Sequence, residues 1–290
     1  MTVTISSSLL EAQIAELGAE LVHLRDEAGR ELLSDGNPAF WAGRSPLLFP
    51  IVGKLPDDRY ELSGREYELK QHGFARTSLF ELVDASEATC RFRLSANEET
   101  LRLYPFTFKL DVAYRIQGAT LAIEVSACNT GDTAMPVSFG FHPALRWPLP
   151  YGGSREAHEI RFERDEPAPL RTLSDGLIGK GERPSPVEGD RLRLHDDLFQ
   201  DGALIFDRHA SRKVHYGVPG GRSITVGFPD MPHLGIWTKP GAGFVCIEPW
   251  QGYASPVDFE GGFAEKPGMV SIPPGETRGF GMQITVDPVR

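Results

Sequence analysis

Ile116-Gln117-Gly118-Ala119-Thr120-Leu121 joins two strand-like runs, Phe106 to Gln117 and Thr120 to Asn129, and its reading decides the fold. Gly118 reaches a positive φ without steric cost, so the two runs read as a β-hairpin. Outward from the hairpin the same punctuation recurs: short or alternating apolar runs bounded by turn residues, with no convincing helical stripe. Before it, strands are expected at Val3 to Ser7, Ala12 to Glu16, Glu20 to Arg25, Arg59 to Leu62, Arg65 to Leu69, Leu79 to Asp84 and Cys90 to Ser95. After it, they are expected at Met135 to Phe141, His158 to Phe162, Ala203 to Asp207, Lys213 to Gly217, Ser223 to Gly227, Leu234 to Trp237, Gly243 to Glu248, Met269 to Ile272 and Thr277 to Val286. Short helical turns are expected near Pro38 to Trp41 and Leu194 to Leu198. Asp165 to Arg191, with Pro167, Pro169, Pro184 and Pro186, reads as the main long loop. So many strands without intervening helices imply packed antiparallel sheets, an all-β sandwich of more than ordinary size. No linker separates two cores, so residues 1–290 read as a single domain.

Composition narrows the function. The chain is 40% hydrophobic and 24% charged, ordinary for a soluble protein, and its formal net charge of −10 disfavours both nucleic acid and an acidic membrane surface as partners. No basic segment followed by an apolar stretch opens the chain, and no run of about 18 apolar residues occurs, so neither a signal peptide nor a membrane helix is expected. Cys90, Cys128 and Cys246 lack CxxC spacing and read as buried thiols in a reducing, cytoplasmic setting. Dinucleotide, phosphate-loop and hydrolase-elbow motifs are missing, and the eight histidines show no HExxH or close metal-ligand spacing. A metal site assembled in space from His72, His142 and Glu248 stays open to this reading.

Three segments carry the candidate chemistry: His72-Gly73-Phe74-Ala75-Arg76, Phe139-Gly140-Phe141-His142-Pro143 and Cys246-Ile247-Glu248-Pro249-Trp250. In the last, Phe244, Cys246 and Glu248 share one strand face while Val245 and Ile247 share the other, and both faces read as buried. A carboxylate there is costly to desolvate unless paired, and desolvation raises its pKa toward the range useful for proton transfer. A structural salt bridge is the competing reading of Glu248. In the middle segment, Ser138, Gly140 and His142 share a nearly bare face opposite Val137, Phe139 and Phe141, leaving space beneath the imidazole for a ligand or another backbone. A core histidine bonded to a carbonyl is the alternative. Trp237 and Trp250 suit either the C–H face of a pyranose or the core; Trp250 is weighed toward the site because it lies two residues from Glu248. His195-Asp196-Asp197 reads as solvated surface.

With these segments in hand, the chain resembles the aldose 1-epimerase (galactose mutarotase) family, in its LacX-like bacterial branch. The resemblance spans nearly the whole chain through Gly18-Ala19-Glu20-Leu21, Pro46 to Lys54, His72 to Arg76, Phe141-His142-Pro143-Ala144, Leu204-Ile205-Phe206, Gly235-Ile236-Trp237-Thr238, and Cys246 to Trp250 with Gly252. It implies a galactose mutarotase-like supersandwich and an open site for a small-molecule sugar, with no metal or organic cofactor. It also implies roles: His142 as general acid, Glu248 as general base, and His72 helping to bind and polarise the sugar. Lys54 stands where many relatives carry Arg, which keeps the charge and loses the two-pronged hydrogen bonding. Asp201 is the nearest fit to a sugar-binding aspartate, one residue off the expected pattern, opposite Gly202. A related branch acts on hexose 6-phosphates and shares His72 to Arg76, so Arg76 is a candidate phosphate ligand. Arg44-Ser45-Pro46, in place of that branch's Arg-Gly-Gly run, and Trp250 with Gly252 favour the unphosphorylated branch. A non-catalytic carbohydrate-binding or sugar-sensing protein is the rival outside the enzymes. Binding alone does not need both His142 and Glu248. The preferred aldose, the oligomeric state and the pathway are open at this point.

Overall fold

The hairpin that anchored the reading is present: Phe108–Gln117 pairs antiparallel with Thr120–Asn129 from Gln117↔Thr120 onward, and Gly118 has φ +57°. A computed structural model describes residues 1–288. Around the hairpin grows a nine-stranded sheet, in the spatial order Arg191–Arg193, Glu159–Phe162, Lys213–Gly217, Ser223–Gly227, Thr277–Val286, Thr120–Asn129, Phe108–Gln117, Thr89–Ser95 and Glu81–Ala85. Burial alternates along its long strands, as it must when one face meets the core and the other meets water.

A second, eight-stranded sheet runs Leu177–Arg183, Leu170–Ser174, Leu204–Phe206, His233–Trp237, Phe244–Gln251, Phe139–Phe141 and Leu47–Leu48, with Ala144–Arg146 also paired to Phe244–Gln251. All pairings in both sheets are antiparallel. Aromatic rings lock the sheets face to face: Phe139 stacks on Phe280 with centroids 5.0 Å apart, and Phe162 meets Phe206 at 5.4 Å. One continuous apolar cluster runs from Ile5 to Val286. The fold is the large all-β antiparallel sandwich expected.

Several elements differ from expectation. Asp165 to Arg191 is not one long loop: it contains the strands Leu170–Ser174 and Leu177–Arg183, joined through Asp175-Gly176, both at positive φ. Asp-Gly is a strong hairpin signal, and the four prolines flank the hairpin without interrupting it. Met135 to Phe141 splits into Met135–Val137, paired with Val270–Ile272, and Phe139–Phe141, paired with Phe244–Gln251, because at Ser138 the amide turns away to Pro50 O. The strand expected to stop at Glu248 runs on through Pro249 to Gln251. A one-and-a-half-turn helix, Glu98–Leu103, was unmarked by any apolar stripe; its signal is the cap, Asn97 accepting from the amides of Glu99 and Thr100 while Thr100 Oγ1 accepts from the Asn97 amide. Of the two expected helical turns, residues near Pro38 to Trp41 form a turn and Asp196–Phe199 a 3-10 segment. Asp196 is tied to Arg155 at 2.6 Å.

Candidate active site

Phe244–Gln251 is buried at every position, because other elements cover both faces of its sheet. On one side it pairs with His233–Trp237, Glu248 opposite Gly235. On the other side its ladder is interrupted: Trp250 pairs with Gly140 and Cys246 with Ala144, and the register carried between them sets His142 opposite Glu248. The interruption has a chemical cause, since Pro143 and Pro249 have no amide hydrogen to give to the ladder. At this gap His142 Nε2 lies 3.1 Å from Glu248 Oε2, with His142 7% and Glu248 1% exposed.

Burial dominates the electrostatics of the pair. It pushes His142 down to about 3, aided by the nearby Arg76 charge and opposed by a backbone hydrogen bond. It holds Glu248 well above the usual carboxylate range, with a smaller pull downward from the Trp250 indole. Both effects favour uncharged partners, so the pair holds one transferable proton between Nε2 and Oε2.

The pair sits at the wall of a cavity of about 320 Å³, at the low end of the ~300–1,000 Å³ typical of small-molecule sites. His72, Arg76, Trp250 and Trp237 also line it, so the structure brings together most of the residues singled out from sequence. His72 is edge-on to His142, centroids 5.8 Å apart, and burial together with neighbouring positive charge keeps it neutral, well below its usual pKa. Its Nδ1 accepts from the Gly53 amide at 3.1 Å, which leaves the proton of the neutral ring on Nε2; the Gln71 side-chain amide lies 3.3 Å from that nitrogen and, in this tautomer, turns its oxygen to it as acceptor. Arg76 donates to Gln71 O at 2.9 Å and, among the described residues, has no carboxylate partner within ion-pair reach. Lys54 is not among the residues that line the cavity; its side chain packs beside Gly176, which is, and its ammonium donates at 3.3 Å to Asp175 O at the tip of the Leu170–Arg183 hairpin.

Asp201 stands apart. Its side chain is 86% exposed, 4.0 Å from Arg183, and outside the cavity lining, which is closed on that side by Leu173, Gly202, Ala203 and Ile205. The neighbouring Gly202, which lacks a side chain, takes the place on the wall. The space expected beneath His142 on the Ser138-Gly140 face is also taken: the Trp250 indole fills it. A Cβ on Gly140 would stand 2.6 Å from Trp250 Cδ1, and one on Gly235 would come closer still to the far edge of the same ring.

Among the lining residues that escaped the sequence reading, Trp41 and Gln71 carry side chains able to contact a ligand directly. Trp41 stacks on His142 at 4.7 Å and 29° and meets Trp237 edge-on at 5.6 Å; it comes from a turn between strands, where periodicity carries no signal. Gln71 joins the polar rim beside His72. Among the described residues one group could hold a metal ion, and it differs from the trio that the sequence left open: Cys246 replaces His72, its donor atom within 4.8 Å of those of His142 and Glu248. Zinc takes a thiolate, whereas burial pushes the Cys246 thiol well above its usual pKa and keeps it protonated. A larger depression of about 680 Å³ crosses the outer face of the nine-stranded sheet, but its floor of Ala113, Ala122 and Gly281 offers no buried acid/base pair.

Known proteins share this architecture over its full length. A sequence model of the aldose 1-epimerase family matches residues 1–285. The chromosomal and plasmid LacX proteins of Lactococcus lactis subsp. lactis are each 30% identical, over 99% of this chain and 99% of theirs. The crystal structure of a galactose mutarotase related enzyme from Lactobacillus acidophilus superposes with TM-score 0.93 at 31% identity, covering 100% of this chain and 98% of that one. A galactose mutarotase-like protein from Lactobacillus casei gives 0.92 at 30%, covering 99% and 100%. With sequence and fold matched from end to end, and an imidazole facing a carboxyl across the gap in its buried sheet, this chain belongs to the aldose 1-epimerase family.

Proposed function

We propose that the protein is an aldose 1-epimerase that interconverts the α and β anomers of a free aldohexose. The observation that carries this reading is the buried His142–Glu248 pair, 3.1 Å apart on the wall of a sugar-sized cavity. In the reactive form Glu248 is a carboxylate and His142 an imidazolium, which differs from the uncharged pair only by transfer of the shared proton. Glu248 removes the proton from the C1 hydroxyl as His142 protonates the ring oxygen; the C1–O5 bond breaks and the aldehyde forms. Ring opening returns the pair to its uncharged form, the state that burial favours. Rotation about C1–C2 and the same steps in reverse close the other anomer. His72 donates its Nε2–H to the sugar, which takes the place of the Gln71 side-chain amide 3.3 Å from that nitrogen, and Trp41 and Trp250 offer flat apolar faces to the sugar's C–H bonds.

The test is NMR exchange between anomers of equilibrated D-glucose, D-galactose and glucose 6-phosphate, with wild type, His142→Asn and Glu248→Gln. Acceleration on a free hexose that both variants lower by about 10²-fold or more is the expected result. No acceleration on any of the three sugars overturns the reading and favours a sugar-binding protein without catalysis. A second reading, a hexose-6-phosphate 1-epimerase, draws on one observation: the Arg76 guanidinium lines the cavity, has no carboxylate partner among the described residues and suits a phosphate. Exchange confined to glucose 6-phosphate and lost in Arg76→Gln would establish it in place of the first.

A further inference from the structure

Lys266 is 2% exposed, in the turn that follows the 3-10 segment Phe263–Glu265. An ammonium group so far from water is costly unless it is compensated. No carboxylate lies within ion-pair reach of it among the described residues; its Nζ donates instead to two main-chain carbonyls, Val52 O at 3.4 Å and Tyr253 O. Burial draws its pKa down to about 7. A neutral amine has two N–H donors, matching the two carbonyls.

The two carbonyls belong to the two backbone segments that frame the cavity. Val52 leads into Gly53 and Lys54, and Tyr253 follows the strand that carries Glu248 and Trp250. The segments touch along their length: Ser255 N donates to Lys54 O at 2.9 Å, and a Cβ on Gly53 would overlap the Ala254 backbone. Gly53, at φ +75°, then grips His72 at two points, accepting from the His72 amide at 2.9 Å and donating to its Nδ1 at 3.1 Å.

We propose that Lys266 is the positioning residue for His72: by drawing the Val52 and Tyr253 carbonyls together it fixes the Gly53 amide, which holds the imidazole as the Nε2–H tautomer facing the sugar. The role at the sugar rests on the function proposed above, but the tautomer does not, so the two fail separately. A lysine that merely cross-links the fold would affect the thermal transition and leave the ring alone.

The experiment is 15N NMR of the histidine side chains, His72 being assigned from its loss in His72→Gln, together with exchange kinetics. Wild type is expected to show His72 as the Nε2–H tautomer. Lys266→Met, close in length and uncharged, is expected to fold and to show a mixture of tautomers, with KM raised about 10-fold and kcat changed less than about 3-fold. Lys266→Gln, which keeps an N–H donor pair, gives an intermediate mixture. A wild-type ring protonated on Nδ1, or an unchanged Nε2–H tautomer in a folded Lys266→Met or Lys266→Gln protein, overturns the proposal. If the tautomer shifts and no sugar is turned over, the positioning role stands and the epimerase reading falls.

Discussion

The strands Thr277–Val286 and Phe244–Gln251 both lie inside a large sheet, yet they bury different things. Along the first, Phe280, Met282, Ile284 and Val286 face the core while the residues between them are at least partly exposed. Along the second nothing reaches water, and the series includes a carboxyl group. The first kind of strand gains stability from apolar burial and tolerates polar change on its open face. The second kind spends stability on a desolvated Glu248 and obtains in return a proton acceptor with a shifted pKa. The difference teaches which strands of this fold can do chemistry: a strand whose sheet is covered on both faces supplies dry surroundings for an ionisable side chain, and one with an open face does not.

Removing the acid from each sheet breaks the comparison most forcefully. Glu248→Gln is expected to lower the anomer exchange rate about 10³-fold with the fold intact by circular dichroism, within the ~10²–10⁴ attributed to one acid or base. Glu124→Gln, on the open face of Thr120–Asn129, should change it less than about 2-fold. Near-normal turnover in Glu248→Gln would remove that residue from the mechanism. His142→Asn should cost about 10²-fold, less than the loss of the base because the neighbouring His72 donor remains.

The pH dependence of kcat/KM sharpens the contrast. Low pH is expected to abolish activity by adding a second proton to the His142–Glu248 pair, a step placed near 3 because burial depresses His142 from 6.5. High pH is expected to abolish it by removing the shared proton, a step moved upward from 4.5 by the burial of Glu248. From pH 6 to pH 4 the profile should therefore change less than about 2-fold, whereas a base with the ordinary carboxylate pKa would lose about 4-fold. The smallest effect expected is none: dialysis against EDTA leaves exchange unaltered, and a loss restored by zinc would assign the His142, Cys246 and Glu248 trio to a metal instead.

How much of this was legible depended on whether a residue's environment is set locally. The Phe108–Asn129 hairpin was readable because Gly118 and the flanking alternation act within a few residues. Glu248 stood out because apolar neighbours on both faces of one short strand already implied desolvation. The pairing of His142 with Glu248 was not readable, since it depends on a register that skips two prolines a hundred residues apart. Trp41 reaches the cavity, and Lys266 the backbone that frames it, from turns, where sequence carries no periodicity to say which way a side chain points. Asp201 lies outside the lining for a related reason: one residue of offset in a turn exchanges wall for solvent.

The Trp250 indole, held between Gly140 and Gly235, also constrains how this protein can change under laboratory evolution. An alanine at either glycine must displace the ring, and the ring cannot move far without losing its place beside Glu248. A smaller side chain at 250 would admit both alanines and leave a void if introduced alone. The three positions are thus epistatic: a library that varies them one at a time finds each fixed, while one that varies them together reaches reshaped cavities that no sequence of single neutral steps connects to the starting protein.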